Sequence, residues 1–194
     1  MHSIALYLEL GLKHISDLAG YDHILFLVAL CAVYRVEDWR RLIILVTAFT
    51  IGHSITLALS SFEIVVIPSN IVEFLIPVTI FLTALRNVTG SSSPGQSVNM
   101  TSHYLMALGF GFIHGMGFSN YFRALMMDSS SILVPLLGFN LGIEAGQLMV
   151  VAVIMLVAFL IVNVIGVKHR DWNLFVSGAA AGISLVLMND TWPW

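Results

Sequence analysis

The sequence predicts an all-α polytopic membrane protein, a single bundle domain over residues 1–194 with about six transmembrane helices and broken first and fifth segments. Three observations carry this prediction. The chain is 58% hydrophobic and 10% charged, with a mean hydropathy of +0.94, whereas a soluble domain carries roughly 25% charged residues. Apolar runs recur at about the 20 residues that cross a hydrocarbon core. Charged and turn-forming residues collect between those runs. The net charge of −3 is spread over segment ends and forms no basic or acidic tail, which excludes nucleic acid as a partner. Cys31 is the single cysteine, so neither an internal disulfide nor a thiolate cluster can form.

The spans follow in order. Residues 3–34 are too long for one straight crossing and are interrupted around Ser16 to Gly20, which predicts a short amphipathic lead helix and a second helix from Tyr21. The next span runs from Leu42 to Leu59. The third, Ile71 to Leu85, follows Pro68 and contains Pro77, whose missing N–H kinks a membrane helix without destroying it. Residues 87–102, rich in Ser, Gly and Pro, have linker composition. His103 to Phe118 forms the fourth span and Trp172 to Met188 the sixth. Ile132 to Gly166 is overlong, and Gly138, Gly142 and Gly146 predict a broken or re-entrant entry before a regular helix. The N-terminus has no basic region and no A-x-A-like cleavage site, so it is read as part of the mature protein.

Lys and Arg in short loops mark the cytoplasmic side. Arg35, Arg40, Arg41, Arg86, Lys168 and Arg170 fall at one set of ends, against Lys13 and Arg123 at the other, so both termini are expected outside a multi-pass protein. Trp39, Trp172, Trp192 and Trp194 lie at span ends, where indole rings suit the headgroup layer.

Ionisable residues inside the apolar runs are costly and mark a site. His53 and His114 each lie about twelve residues into an outward-running helix, about 18 Å above the cytoplasmic edge at 1.5 Å per residue. His14, Asp17, Asp22, His23, Glu73 and Glu144 come to the same outer half from other segments. Imidazoles mixed with carboxylates suit divalent first-row metals, so these eight residues are the candidate ligands of nickel, cobalt or zinc. Ser54, Asn140 and Gln147 are candidates to orient them, Asn140, Glu144 and Gln147 sharing one helical face. Asp22 reads equally as a ligand or as the acceptor for a histidine N–H. His2, His103 and His169 lie near segment ends and are expected to be solvated. The inner half offers mainly hydroxyls such as Thr47, Thr79 and Thr83, so no continuous polar path to the cytoplasm is expected. Gly178 and Gly182 form a GxxxG pattern suited to packing within the bundle or to a homo-oligomer.

The stretches HISDLAGYDHILFL (His14 to Leu27), VTAFTIGHSITL (Val46 to Leu57), VEFLIPVTIFLTALRN (Val72 to Asn87), GFGFIHGMGF (Gly109 to Phe118) and FNLGIEAGQL (Phe139 to Leu148) resemble the HupE/UreJ family of small bacterial membrane proteins. The family's G-x-D-H element is matched by Gly20, Asp22 and His23. The resemblance implies a nickel or cobalt permease of the bacterial inner membrane. The residues alone leave a second function open, an intramembrane zinc-dependent hydrolase of a lipid or lipid-linked substrate. There, histidines would hold zinc and Glu144 or Asp17 would serve as general base.

Overall fold

The computed structural model describes residues 4–17, 20–65, 67–90, 100–126 and 132–194, and those residues form seven α-helices with no strand among them. They are α1 (Ile4–Ser16), α2 (Asp22–Cys31), α3 (Trp39–Ser61), α4 (Ser69–Gly90), α5 (Met100–Met126), α6 (Leu133–Phe159) and α7 (His169–Asp190). A short 3₁₀ turn at Val36–Asp38 leads into α3, and a π-helical turn at Leu160–Val164 extends α6. The segments containing α3, α4, α6 and α7 are long and apolar enough to cross a membrane. At 27 residues, α5 matches them in length. The helices outrun the apolar runs because hydropathy detects only the hydrocarbon-facing centre, while backbone hydrogen bonding carries the helix on through Trp, Arg and Ser at its ends. Large apolar side chains such as Leu137, Leu141, Val153, Leu156 and Phe175 point outward, as lipid contact requires.

The first segment is broken as expected, between Ser16 and Asp22. At 13 and 10 residues, neither α1 nor α2 crosses alone. Together they follow α6: Tyr7 lies beside Gly138, Leu8 beside Gly142 and Leu12 beside Gly146. Farther along, Tyr34 shares a cavity lining with Met155 and Ala158. The lead helix is therefore the first half of one discontinuous span running parallel to α6. The fifth segment corrects the expectation of a broken entry. Leu133–Phe159 is one continuous helix, and its irregularity lies at the far end, in the π turn and Gly166 at φ +88°. Gly138, Gly142 and Gly146 do not break it, because in lipid a helical glycine serves to admit a neighbouring backbone. A Cβ at Gly142 would collide with the Leu8 carbonyl oxygen.

Parallel α3 and α5 use the same device. A Cβ at Gly111 would meet the Phe49 carbonyl, and one at Gly52 the Leu108 carbonyl. Antiparallel α4 and α7 are joined by amides instead. Asn87 Nδ2 donates to Ser177 Oγ at 3.2 Å and also to Ala29 O of α2 at 2.6 Å, Asn173 Nδ2 donates to Asn87 O at 3.2 Å, and Ser177 Oγ donates to Asn173 Oδ1 at 3.0 Å within α7. Gly178 and Gly182 have no atom within 4 Å of a built Cβ, so this pair lies outside the packing of the bundle.

The ends are sorted. Ile4 of α1 lies beside the start of α6, while Trp192 packs on Phe74 near the start of α4. At the opposite end, Tyr34 meets His103 and His169, and Arg86 meets Ser102. Arg35, Arg40, Arg41, Lys168 and Arg170 belong to segments at that second end. The side chain of Arg123 and the linker residues 91–99 lie outside the described residues.

Substituting Gly111→Val should force α5 away from α3 and destabilise the fold by about 1–3 kcal/mol or more. Gly109→Val, two positions away with nothing within 4 Å of its Cβ, should be close to neutral. Thermal unfolding in detergent distinguishes the two variants.

Candidate metal centre

Close approach of the helices places four imidazoles in one buried cluster. Each of His53 and His114 is flanked by a glycine. Gly52 admits the α5 backbone, and a Cβ at Gly115 would strike His53 O and Thr56 Oγ1. The two histidines are therefore held at one depth on facing backbones, 0% and 1% exposed. The break in the first span delivers the other two. His14 sits in the last turn of α1, and His23 is the second residue of α2. Ring centroids are 4.7 Å apart for His14 and His23, 5.3 Å for His23 and His114, and 6.4 Å for His14 and His53.

The outer nitrogens of three of these rings are committed. His23 Nδ1 donates to Asp22 Oδ1 at 2.9 Å, His114 Nδ1 to Phe110 O at 2.8 Å, and His53 Nδ1 to Asn140 Oδ1 at 3.4 Å. Asn140 is oriented for this by donating its own Nδ2 to Leu136 O at 2.8 Å. Carboxylate and carbonyl oxygens only accept, so each Nδ1 carries the proton and a neutral ring keeps its Nε2 lone pair free. The Nε2 atoms of His14, His23, His53 and His114 are all buried without a hydrogen-bond partner. Leaving a buried polar atom unpaired costs roughly 1–3 kcal/mol. Four such atoms in one cluster, three with an acceptor behind the ring, form the donor set that a divalent metal takes from histidine. The rings pack edge-on or tilted, and no group of three His, Cys, Asp or Glu side chains among the described residues stands in a finished metal-holding arrangement. The donors fit the ion by type; convergence on one point requires side-chain adjustment.

Phenylalanines wall the cluster. Phe118 lies 4.1 Å from His14 and stacks on Phe139 at 4.8 Å, while Phe26 and Phe49 lie 5.4 and 5.0 Å from His114. The sequence reading did not single them out, although Phe49 stands four residues before His53 and Phe118 four after His114, on the same helical faces.

The carboxylates are placed differently from one another. Asp22 takes the His23 N–H groups of both ring and backbone, the acceptor role. Glu144 accepts a 2.6 Å hydrogen bond from Thr47, two turns toward the basic end from His53. Asp17 is exposed where α1 ends, and Glu73, the fifth residue of α4, is exposed; neither is buried with the four histidines. Gln147 Oε1 accepts from Thr50 at 2.9 Å, and Ser54 donates back to Thr50 O at 2.7 Å in its own helix. His53–Asn140, Thr50–Gln147 and Thr47–Glu144 thus form a polar seam between α3 and α6. The seam extends about 9 Å toward the basic end, into a half where mainly hydroxyls were expected. His103 and His169, expected to be solvated, are partly exposed and also hydrogen-bonded to Tyr34 through its hydroxyl and its carbonyl, while His2 lies outside the described residues.

A family model described as HupE / UreJ protein matches residues 1–192. No curated protein and no solved structure matches the chain. From the discontinuous first span to the end of α7, this membrane protein belongs to the HupE/UreJ family, which is associated with nickel and cobalt transport.

Proposed function

We propose that the protein is a permease for a nickel- or cobalt-type divalent cation in a bacterial inner membrane, with both termini outside. His14, His23, His53 and His114 capture the ion in the outer half of the bilayer. The observation that carries this reading is the set of four buried Nε2 atoms without partners. Imidazole ligands are neutral, and they favour borderline transition-metal ions over magnesium or calcium, which take oxygen ligands. Asp22, bonded to His23, supplies a negative charge beside the cluster to offset that of the ion.

The polar seam supports passage over catalysis. An ion leaving the histidines inward meets Asn140, Gln147, Thr50, Thr47 and Glu144 in turn, oxygen groups that can replace part of its hydration. Glu144, one of the two general-base candidates in the hydrolase reading beside Asp17, faces Thr47 in that seam. The first span has the form of discontinuous transporter helices, whose broken ends meet at the substrate.

Purified protein should bind about one nickel or cobalt ion, and the His53→Ala, His114→Ala double variant should lose it. Full metal content in that variant would falsify the site. Asp22→Asn should keep the fold but weaken nickel binding about 10- to 100-fold, since it removes the charge that orients and polarises His23; isothermal titration measures this. In proteoliposomes the protein should accumulate nickel or cobalt, and Glu144→Ala should slow uptake with little change in ion binding. Metal-loaded protein that moves no ion across the bilayer would overturn the permease.

A further inference from the structure

A cavity opens at the basic end of the bundle, far along α6 from the histidines. It has a volume of about 280 Å³ and lies between the end of α2, the 3₁₀ turn, the π turn of α6 and the start of α7. One side is cationic: Arg35 and Lys168 both line it, with His169 beside them and Glu37 as the single acidic residue. Neither Arg35 nor Lys168 belongs to any of the ion pairs among the described residues, whereas Arg41 nearby is paired with Asp38 at 2.9 Å. Lys168 is also the N-cap of α7 and offers no side-chain cap, so the positive end of that 22-residue helix, which carries Asp171 in its first turn, lies beside the cationic wall. The other side is apolar, built from Met155, Ala158, Phe159 and Val162. Phe159 is 41% exposed, and the wall continues onto Leu160, Val164 and Ile165 of the outward surface.

A cavity whose cationic wall carries Arg35 and Lys168 against one acidic residue, Glu37, and whose apolar wall opens to the acyl region matches a molecule with a phosphate at one end and hydrocarbon at the other. We propose that it holds the headgroup of an anionic glycerophospholipid from the leaflet at the basic end. Arg35 and Lys168 hold the phosphate, and an acyl chain lies along Phe159 and Ile165. A free phosphate ion would use the cationic wall alone and leave the apolar wall without a role. The π turn belongs to the same site: it places Val162 and Asn163 in the lining just before the chain turns at Gly166. Basic pockets between membrane helices at an anionic leaflet bind lipid headgroups in this way.

The test uses metal-free full-length protein in neutral detergent, so its outcome is separate from that of the permease reading. Added phosphatidylglycerol should raise the unfolding temperature by about 5 °C, while phosphatidylcholine should not. An Arg35→Gln, Lys168→Gln variant should lose the rise, with affinity for phosphatidylglycerol down about thirtyfold. Arg40→Gln, which removes a charge from the same end outside the cavity, should keep it. Native mass spectrometry should show co-purifying anionic lipid on the wild type and on Arg40→Gln, and not on the double variant. If the double variant does not fold, the single Lys168→Gln variant should show a reduced rise. An equal rise in Lys168→Gln and Arg40→Gln overturns the site in favour of general surface charge. Displacement of the lipid by millimolar inorganic phosphate overturns the lipid assignment in favour of the free ion.

Discussion

Backbone contact between helices at glycine is the constraint from which the rest of this bundle follows. In lipid, no hydrophobic gain draws one apolar helix to another, so association relies on close packing and interhelical polar contacts. Here α1 meets α6, and α3 meets α5, with carbonyl oxygens of one helix pressed where a side chain of the other would stand. Each pair runs parallel, so residues at similar distances from the helix starts come level. Gly52 before His53 and Gly115 after His114 make the link to chemistry direct: the residues that close the helix pair adjoin those that line the site.

That site concentrates cost. Unpaired acceptor nitrogens sit in a shell of phenylalanine, where water is excluded and each missing partner is felt fully. The fold supports them from behind, with Asp22, Asn140 and the Phe110 carbonyl fixing ring orientation. Oriented rings with open lone pairs set this cluster apart from a satisfied core, in which each buried nitrogen would have a partner.

The discontinuous first span joins these features. Its upper half is locked to α6 through glycines, while its lower half lies against α4 and α7, where Asn87 reaches the Ala29 carbonyl. The break between them carries Asp22 and His23 at the start of α2, where the helix dipole favours a carboxylate. One imidazole is contributed from each side of the break and two from the α3–α5 pair, so the cluster stands at the junction of separately packed units.

Depth was legible in the sequence, and direction was not. Run lengths, turn residues and the placement of Arg and Lys determined the all-α class, the broken first span and the height of His14, His23, His53 and His114, because helical rise converts residue number to depth. The same conversion put Glu73 and Asp17 at a plausible height, and the structure turns both outward. Helices that are apolar nearly all round carry little signal for which face is buried, so rotation about each axis was decided by packing. Only the tertiary structure could decide that Gly138, Gly142 and Gly146 join helices where they were expected to break one, that Asp22 supports His23, and that Glu144 belongs to a seam with Thr47 toward the basic end. A glycine's role depends on whether a neighbouring backbone comes to fill the space it leaves, and a side chain's role on which neighbour its helix turns it toward.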